Sequence, residues 1–404
     1  MSEPLLSIVM PTHNRCEYAI SAVNSILSLP ETALQLVVTD TSDGDDLARR
    51  LDGSIDKRLV YRRIDEPLSM TENHNAAMAL ATGRYLCLIG DDDTVTTEIM
   101  AAVRWAEANN VTALSPLVAA NYAWPDFRSR YLGKAHAGRV YLRRDFGAVS
   151  RHNGRRNLVR ALNRAALGTE GLPKIYHGIV RRDIMTQIKE RSGAYFHGSS
   201  PDVSGAVAVA ALCGDYVEID YPITLPGASG KSNTGRSAMK THKGTLAGDA
   251  HTSRFRNLRW PELIPAFASV ETVWAQAVHT TLEQLEPALL EEYNYPVVYA
   301  ACALKHRDYW SATRAALDEY RRTRRLSSVA CYGRFSMEFC RYAAASLVRL
   351  ARRASKPTAA GGRDFIPAVS DIAAAQVELA RLLRQRGHSV ETLLATIGSG
   401  EGGR

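Results

Sequence analysis

The sequence predicts an α/β fold, a mostly parallel sheet with helices on both faces, followed by a mainly α-helical C-terminal region. Three observations predict it. Short apolar runs alternate with helix-spaced segments through the first hundred residues. The links between them are short, which implies parallel pairing with right-handed crossovers. From Pro261 onward the chain is rich in Ala, Leu, Glu and Arg with helical spacing throughout.

Taken in order, residues 5–10 (LLSIVM) form an apolar run ended by Pro11, as expected of a buried strand. Asn14 and Glu17 have the spacing of a capping box, and Ala19, Ile20, Val23, Ile26 and Leu27 share one helical face behind them. Residues 36–39 (LVVT) are a second strand, ended by the turn-rich 40–46 (DTSDGDD), and residues 59–63 a third. Residues 72–81 read as a helix stopping at Gly83, and 85–89 (YLCLI) as a fourth strand halted by Gly90 and three aspartates. Further strands are expected at 111–120, 174–180 and 217–225, with a helix at 183–191. Residues 226–256, rich in Gly, Ser, Thr, Lys and His, lack apolar periodicity and read as a flexible loop. A Pro/Gly break at 355–363 precedes a last helix at 368–386. The domains expected are 1–225, with parts 1–110 and 111–225, then the loop 226–256, then a helical region over 257–404.

Composition narrows the class. The 404 residues suffice for two or three domains of ~100–200 residues. With 46% apolar and 23% charged residues the chain is neither disordered nor a disulfide-stapled miniature. No apolar run approaches the ~20 residues of a spanning helix, and the N-terminal MSEPLLSIVMP lacks the basic and apolar segments of a signal peptide. The six cysteines show no C-x-x-C pair and are expected to be reduced thiols in a cytoplasmic protein. The net charge of +8 is concentrated: 128–164 holds eleven Lys/Arg against Asp145, and 321–353 nine Arg against Glu338. Such patches point to an anionic partner or to solvated surfaces.

In an open parallel sheet, ligands bind beyond the carboxyl ends of the strands. Three strand ends carry functional residue types: Pro11-Thr12-His13-Asn14-Arg15, Asp40, and Asp91-Asp92-Asp93. Three adjacent carboxylates at a buried strand end repel one another. A divalent cation, Mg²⁺ or Mn²⁺, resolves that conflict, and it typically binds through one or two carboxylates plus substrate phosphates. The implied substrate is a nucleoside diphosphate derivative.

The segments SIVMPTHNR, LQLVVTDTSDGDD, ENHNAAMALATGRYLCLIGDDD and SSPDVSGAVAVA, spread over the first 225 residues, resemble the successive motifs of family-2 glycosyltransferases with the GT-A fold. The resemblance implies nucleotide-sugar contacts from Pro11, Thr12, Asn14, Arg15, Asp40, Asn75, Asp91 and Asp92. It places Asp92 on the ribose, Asp93 on the metal and Asp91 beside them. Gly90 stands where the commoner D-x-D form has its first Asp, and His74 where many relatives have Arg. The matching general base is Asp202, which also starts a helix well after Ser200 and Pro201. The reaction implied is metal-dependent and inverting, with an acceptor hydroxyl attacking the anomeric carbon of a UDP- or dTDP-linked sugar and a sugar or lipid-linked acceptor in polysaccharide or glycoconjugate assembly.

Weaker signals are weighed beside these. Gly230-Lys231-Ser232 lacks the first glycine of a P-loop, so Lys231 reads as an ordinary loop lysine, with a phosphate contact from a closing loop as the minor alternative. His242 and His251 read as loop histidines, and Trp260 as an anchor opening the helical region. Residues 337–353 form a basic amphipathic helix. It suits either packing on the catalytic domain or peripheral contact with the inner face of the cell membrane. The competing class is a non-catalytic nucleotide- or nucleic-acid-binding protein. The acidic triplet argues against nucleic acid, because it repels a phosphate backbone, and the basic stretches lack interleaved aromatics.

Overall fold

The apolar runs of the N-terminal half become strands of one eight-stranded sheet in a computed structural model that describes residues 3–249, 251–355 and 360–398. The strands are β1 (Leu6–Thr12), β2 (Leu34–Asp40), β3 (Leu59–Arg63), β4 (Tyr85–Leu88), β5 (Ala113–Pro116), β6 (Val149–Asn153), β7 (Ile179–Arg181) and β8 (Asp215–Ile219). Their spatial order is β3-β2-β1-β4-β7-β5-β8-β6. The first four are mutually parallel, β7 runs antiparallel between β4 and β5, and β6 closes one edge antiparallel to β8. Because Val9 pairs with Leu88 and Thr12 with Asp40, the carboxyl ends of β1, β2 and β4 fall on one rim.

The helices of this half are α1 (Cys16–Leu27), α2 (Asp46–Leu51), α3 (Met70–Ala79), α4 (Ile99–Ala108), α5 (Gly154–Leu162), α6 (Arg182–Ser192), α7 (Pro201–Leu212) and the short α8 (Asn233–Ala238). Alternation along the strands separates two cores. Ile8, Met10 and Leu36 face α1 and α4, whereas Val9, Val37 and Leu88 face α3, α6 and α7. A capping box opens α3, with Ser69 and Glu72 satisfying each other's backbone N–H groups. The box expected at Asn14 and Glu17 does not form. Asn14 adopts a left-handed φ of 53° and exchanges hydrogen bonds with Asp43 across the β2 loop instead.

Several expected elements are revised. The run 111–120 is broken after Pro116, and Ala120–Ala123 joins a second sheet with Arg139–Leu142. The strand expected at 174–180 is shifted to Ile179–Arg181, which pairs with β4 and β5, while Tyr176 makes an isolated bridge to Leu88. The basic stretch 128–164 contains strands and an amphipathic helix, α5, which buries Leu158 and Leu162 and turns Arg155, Arg156 and Arg160 outward. The segment 226–256 carries short elements of its own: Gly227–Ala228 pairs with the second sheet, α8 follows, and Lys243–Gly244 pairs with Ala268–Ser269.

The region 257–404 is not one unit. Helices α9 (Val270–Leu285), α10 (Tyr295–Lys305), α11 (Trp310–Thr323) and α12 (Ser328–Ala354) share a core with α5 and α7. The chain then returns to the sheet. Asp364–Ile366 pairs with Arg139–Leu142, and α13 (Ile372–Gln385) and α14 (Val390–Gly398) bury Ile372, Leu379, Leu383 and Leu394 in the core over α1 and α4. Gln376 Nε2 seals this contact by donating to the Val95 carbonyl at 2.7 Å. Among the described residues no helix is long and apolar enough to cross a membrane.

Candidate active site

Beyond the rim of β1 and β4 lies a cleft of about 680 Å³. Its walls include Pro11, Thr12, Arg15, Asp91 and Asp92 from the sheet, Ser200 and Asp202 from the start of α7, and Lys231, Arg236, His242, His251 and Arg254 from the segment after β8. The sheet register brings Thr12 level with the triplet, and its hydroxyl donates to Asp91 Oδ2 at 2.6 Å. Arg15 reaches across both carboxylates, at 3.0 Å from Asp91 Oδ1 and 2.8 Å from Asp92 Oδ2. Those two acids hold its guanidinium firmly charged despite burial. Ser229 donates to Asp92 Oδ2 from both its backbone N–H (3.1 Å) and its hydroxyl (2.7 Å), and accepts from Arg15.

The third aspartate is built differently. Asp93 accepts the N–H groups of Gly90 and Gly227, each at 2.7 Å, and the Tyr176 hydroxyl at 2.8 Å, with His177 Nε2 at 3.2 Å. Burial opposes its ionisation, but His177 and these donors outweigh it and hold the carboxyl below the usual range. Both Asp93 oxygens accept hydrogen bonds and the residue does not line the cleft, whereas the family resemblance makes it the metal ligand. Gly90 is explained by the same packing. A Cβ there would lie 2.8 Å from the Tyr176 hydroxyl and 2.9 Å from Asp93 Oδ2, so an aspartate cannot occupy the position without displacing them.

Burial pushes Asp92 up to about 6 even though Arg15 opposes the shift, and it raises Asp91 as well. The described residues place no donor on Asp92 Oδ1, the one triplet oxygen left open. A buried carboxylate with a free oxygen facing a cleft fits a divalent cation bound through a single protein carboxylate plus substrate phosphates.

Across the cleft, Asp202 sits in the first turn of α7, where the helix dipole favours its charge. Ser200 does not cap the helix with its side chain; its hydroxyl donates to Asp202 Oδ1 at 2.5 Å. His74 donates Nδ1–H to the Met70 carbonyl, since a carbonyl only accepts, and burial lowers its pKa to about 4. A neutral imidazole thus stands where many relatives have a cation. His251 bonds the Ser199 carbonyl at 2.6 Å and is likewise lowered by burial.

Three expected binding residues face elsewhere. Asp40 is fully buried, accepting from the Ser42 N–H at 2.9 Å and the Tyr61 hydroxyl at 3.0 Å. Asn75 spends both ends of its amide on the backbone of Tyr195 and Phe196. Asn14 lines an adjoining pocket of about 530 Å³ on the far side of Arg15. Sequence reasoning missed the cleft residues Tyr176, Arg236 and Arg254 and, behind the cleft, Ser229 on Asp92, which join the site only through tertiary folding.

A family model, that of glycosyl transferase family 2, matches residues 7–166, the span that holds the strand-end carboxylates but not Asp202. The match covers less than half of the chain. Over 97 residues the chain is 32% identical to the putative colanic acid biosynthesis glycosyl transferase WcaA of Escherichia coli (strain K12), covering 24% of this chain and 35% of the relative. Over 105 residues it is 28% identical to the abequosyltransferase RfbV of Salmonella typhimurium, covering 25% and 32%. The chain thus spans about a third of the length of these curated relatives. It is also similar to S. aureus TarS 1-349 in complex with UDP-GlcNAc, with 12% identity and a TM-score of 0.43 over 84% of this chain and 92% of that one. The complex of the same protein with UDP gives 14% identity and a TM-score of 0.37 over 56% and 61%. The family-2 segment contributes Pro11 to Asp92 of the cleft, while Asp202 and the cationic wall come from residues beyond the matched span.

Proposed function

We propose that the protein transfers a sugar from a nucleoside diphosphate donor to an acceptor hydroxyl with inversion at the anomeric carbon. One observation carries this reading: Asp92, with its open Oδ1, and Asp202 line the same cleft. In this reading Thr12 and Arg15 orient Asp91 and Asp92 toward the donor, and Lys231, Arg236 and Arg254 supply positive charge to its phosphates. A Mg²⁺ or Mn²⁺ ion held by Asp92 would neutralise charge building on the leaving diphosphate. Asp202 removes the acceptor proton, and the Ser200 hydroxyl fixes the orientation of its carboxylate. The donor is a UDP- or dTDP-linked sugar and the acceptor a sugar or lipid-linked hydroxyl in polysaccharide or glycoconjugate assembly, as the family resemblance implies. The kinship with a colanic acid enzyme and an abequosyltransferase supports this direction.

The test is Asp202→Asn, which keeps size and hydrogen bonding and removes the base. Binding of UDP and dTDP with Mn²⁺, followed by calorimetry, should be unchanged, while sugar transfer or donor hydrolysis falls by roughly a hundredfold or more. Near-normal turnover in this variant would remove Asp202 from the mechanism, and no binding of either nucleotide by the intact protein would remove the donor assignment.

A further inference from the structure

We propose that the outer face of α12 is a docking surface for an anionic lipid bilayer, lying in the plane of the headgroups. The helix runs for 27 residues, about 40 Å. Its inner face packs on α10 and α11 through Cys331, Phe335, Glu338 and Tyr342. At 100° per residue, Val329, Cys340, Ala344, Leu347 and Ala351 fall on the opposite side, with Met337, Val348 and Leu350 at its flanks. These side chains face solvent: Val329 is 85% exposed, Leu347 67% and Leu350 66%. Beyond Tyr342 no residue of α12 is buried, although Ala343 and Ser346 are half-buried and Arg353 reaches the segment at Gly361.

Large aliphatic side chains left open along one line of a helix call for a cover. Charge decides which. Residues 321–353 hold nine arginines against Glu338, and Arg334, Arg341 and Arg352 flank the apolar line. A second copy laid on this face would bring two such cationic sets together, which opposes self-association. An anionic bilayer satisfies both features, taking the aliphatic side chains into the acyl boundary and the guanidinium groups onto its phosphates. With no described helix able to span a membrane, the contact is interfacial. The helix is divided accordingly: Tyr342 turns inward, and Leu347 and Leu350 turn outward. The inference is independent of the reaction assigned to the cleft.

The experiment is co-sedimentation of the intact protein with phosphatidylcholine vesicles made with and without phosphatidylglycerol. Binding is expected only to the anionic vesicles, and it should weaken steeply with salt. Leu347→Glu with Leu350→Glu should lower partitioning by at least about tenfold, and Arg334→Gln with Arg352→Gln should lower it and flatten its salt dependence. All four positions are exposed, so the thermal midpoint should stay at the wild-type value, which controls for folding. Equal binding to neutral vesicles, no binding to either, or undiminished binding of the leucine variant would overturn the proposal. So would a concentration-dependent dimer in sedimentation velocity that the leucine variant dissolves.

Discussion

Asp92 and Asp93 are adjacent in sequence and opposite in circumstance. Asp93 gains four donors on folding and is held ionised, so it contributes stability that is present above the ordinary carboxylate pKa and lost as pH falls through its lowered value. Asp92 is pushed up to about 6 by burial, so at neutral pH its charge costs stability, and that cost fades as pH falls through 6. Asp92→Asn should therefore leave the thermal midpoint nearly unchanged and abolish the Mn²⁺-dependent part of nucleotide binding. Asp93→Asn turns an amide toward donors that need an acceptor and should cost about 1–3 kcal/mol in denaturant unfolding. The reverse pattern, an unstable Asp92 variant beside a stable Asp93 variant that has lost cation dependence, would assign the metal to Asp93.

At the scale of elements, the site depends on a two-residue strand. Gly227–Ala228 runs beside Ala120–Ala123 and passes so close to the triplet that a Cβ on Gly227 would lie 1.8 Å from the Asp92 carbonyl oxygen and 3.0 Å from Trp124 Nε1. Gly227→Ala must push this strand outward, loosening both the Gly227 bond to Asp93 and the Ser229 latch on Asp92. Donor affinity should drop roughly tenfold or more, with a destabilisation of about 1–3 kcal/mol, measured by calorimetry and thermal melting. Sequence pattern reveals the parallel strands and the rim because period, turn residues and short links are local properties. It does not reveal this latch: Ser229 lies 137 residues from Asp92 and Gly227 lies 134 from Asp93, in a stretch whose composition reads as loop. Asp40 and Asn75 show the converse. Both stand in the motif segments, but Tyr61 and the backbone of Tyr195 and Phe196, which no motif contains, engage their polar atoms outside the cleft.

At the scale of the whole molecule, the chain leaves the sheet for four helices and then comes back to finish it. Helical spacing at 368–386 is plain in the sequence. Its destination is not, since an apolar stripe does not say which surface it covers. The answer is the outer face of α1, where Leu379 is completely buried in the same core as Ala19, Val23 and Ile26. The Gln376 bond to Val95 anchors α13 to the short strand that directly follows the aspartate triplet. If the C-terminal helices complete the sheet domain, Leu379→Ala leaves a cavity against α1 and should cost about 2–5 kcal/mol, with a single cooperative transition retained. If they formed a separate unit with the other helices, the same change would split the transition and leave nucleotide binding at its wild-type midpoint. A control separates burial from helix propensity: Leu347→Ala, equally helical but exposed, should shift the midpoint by less than about 0.5 kcal/mol. Melting the two variants with and without UDP and Mn²⁺ then shows whether α13 supports the donor cleft, because only a helix coupled to the rim lowers the ligand-induced shift along with the midpoint.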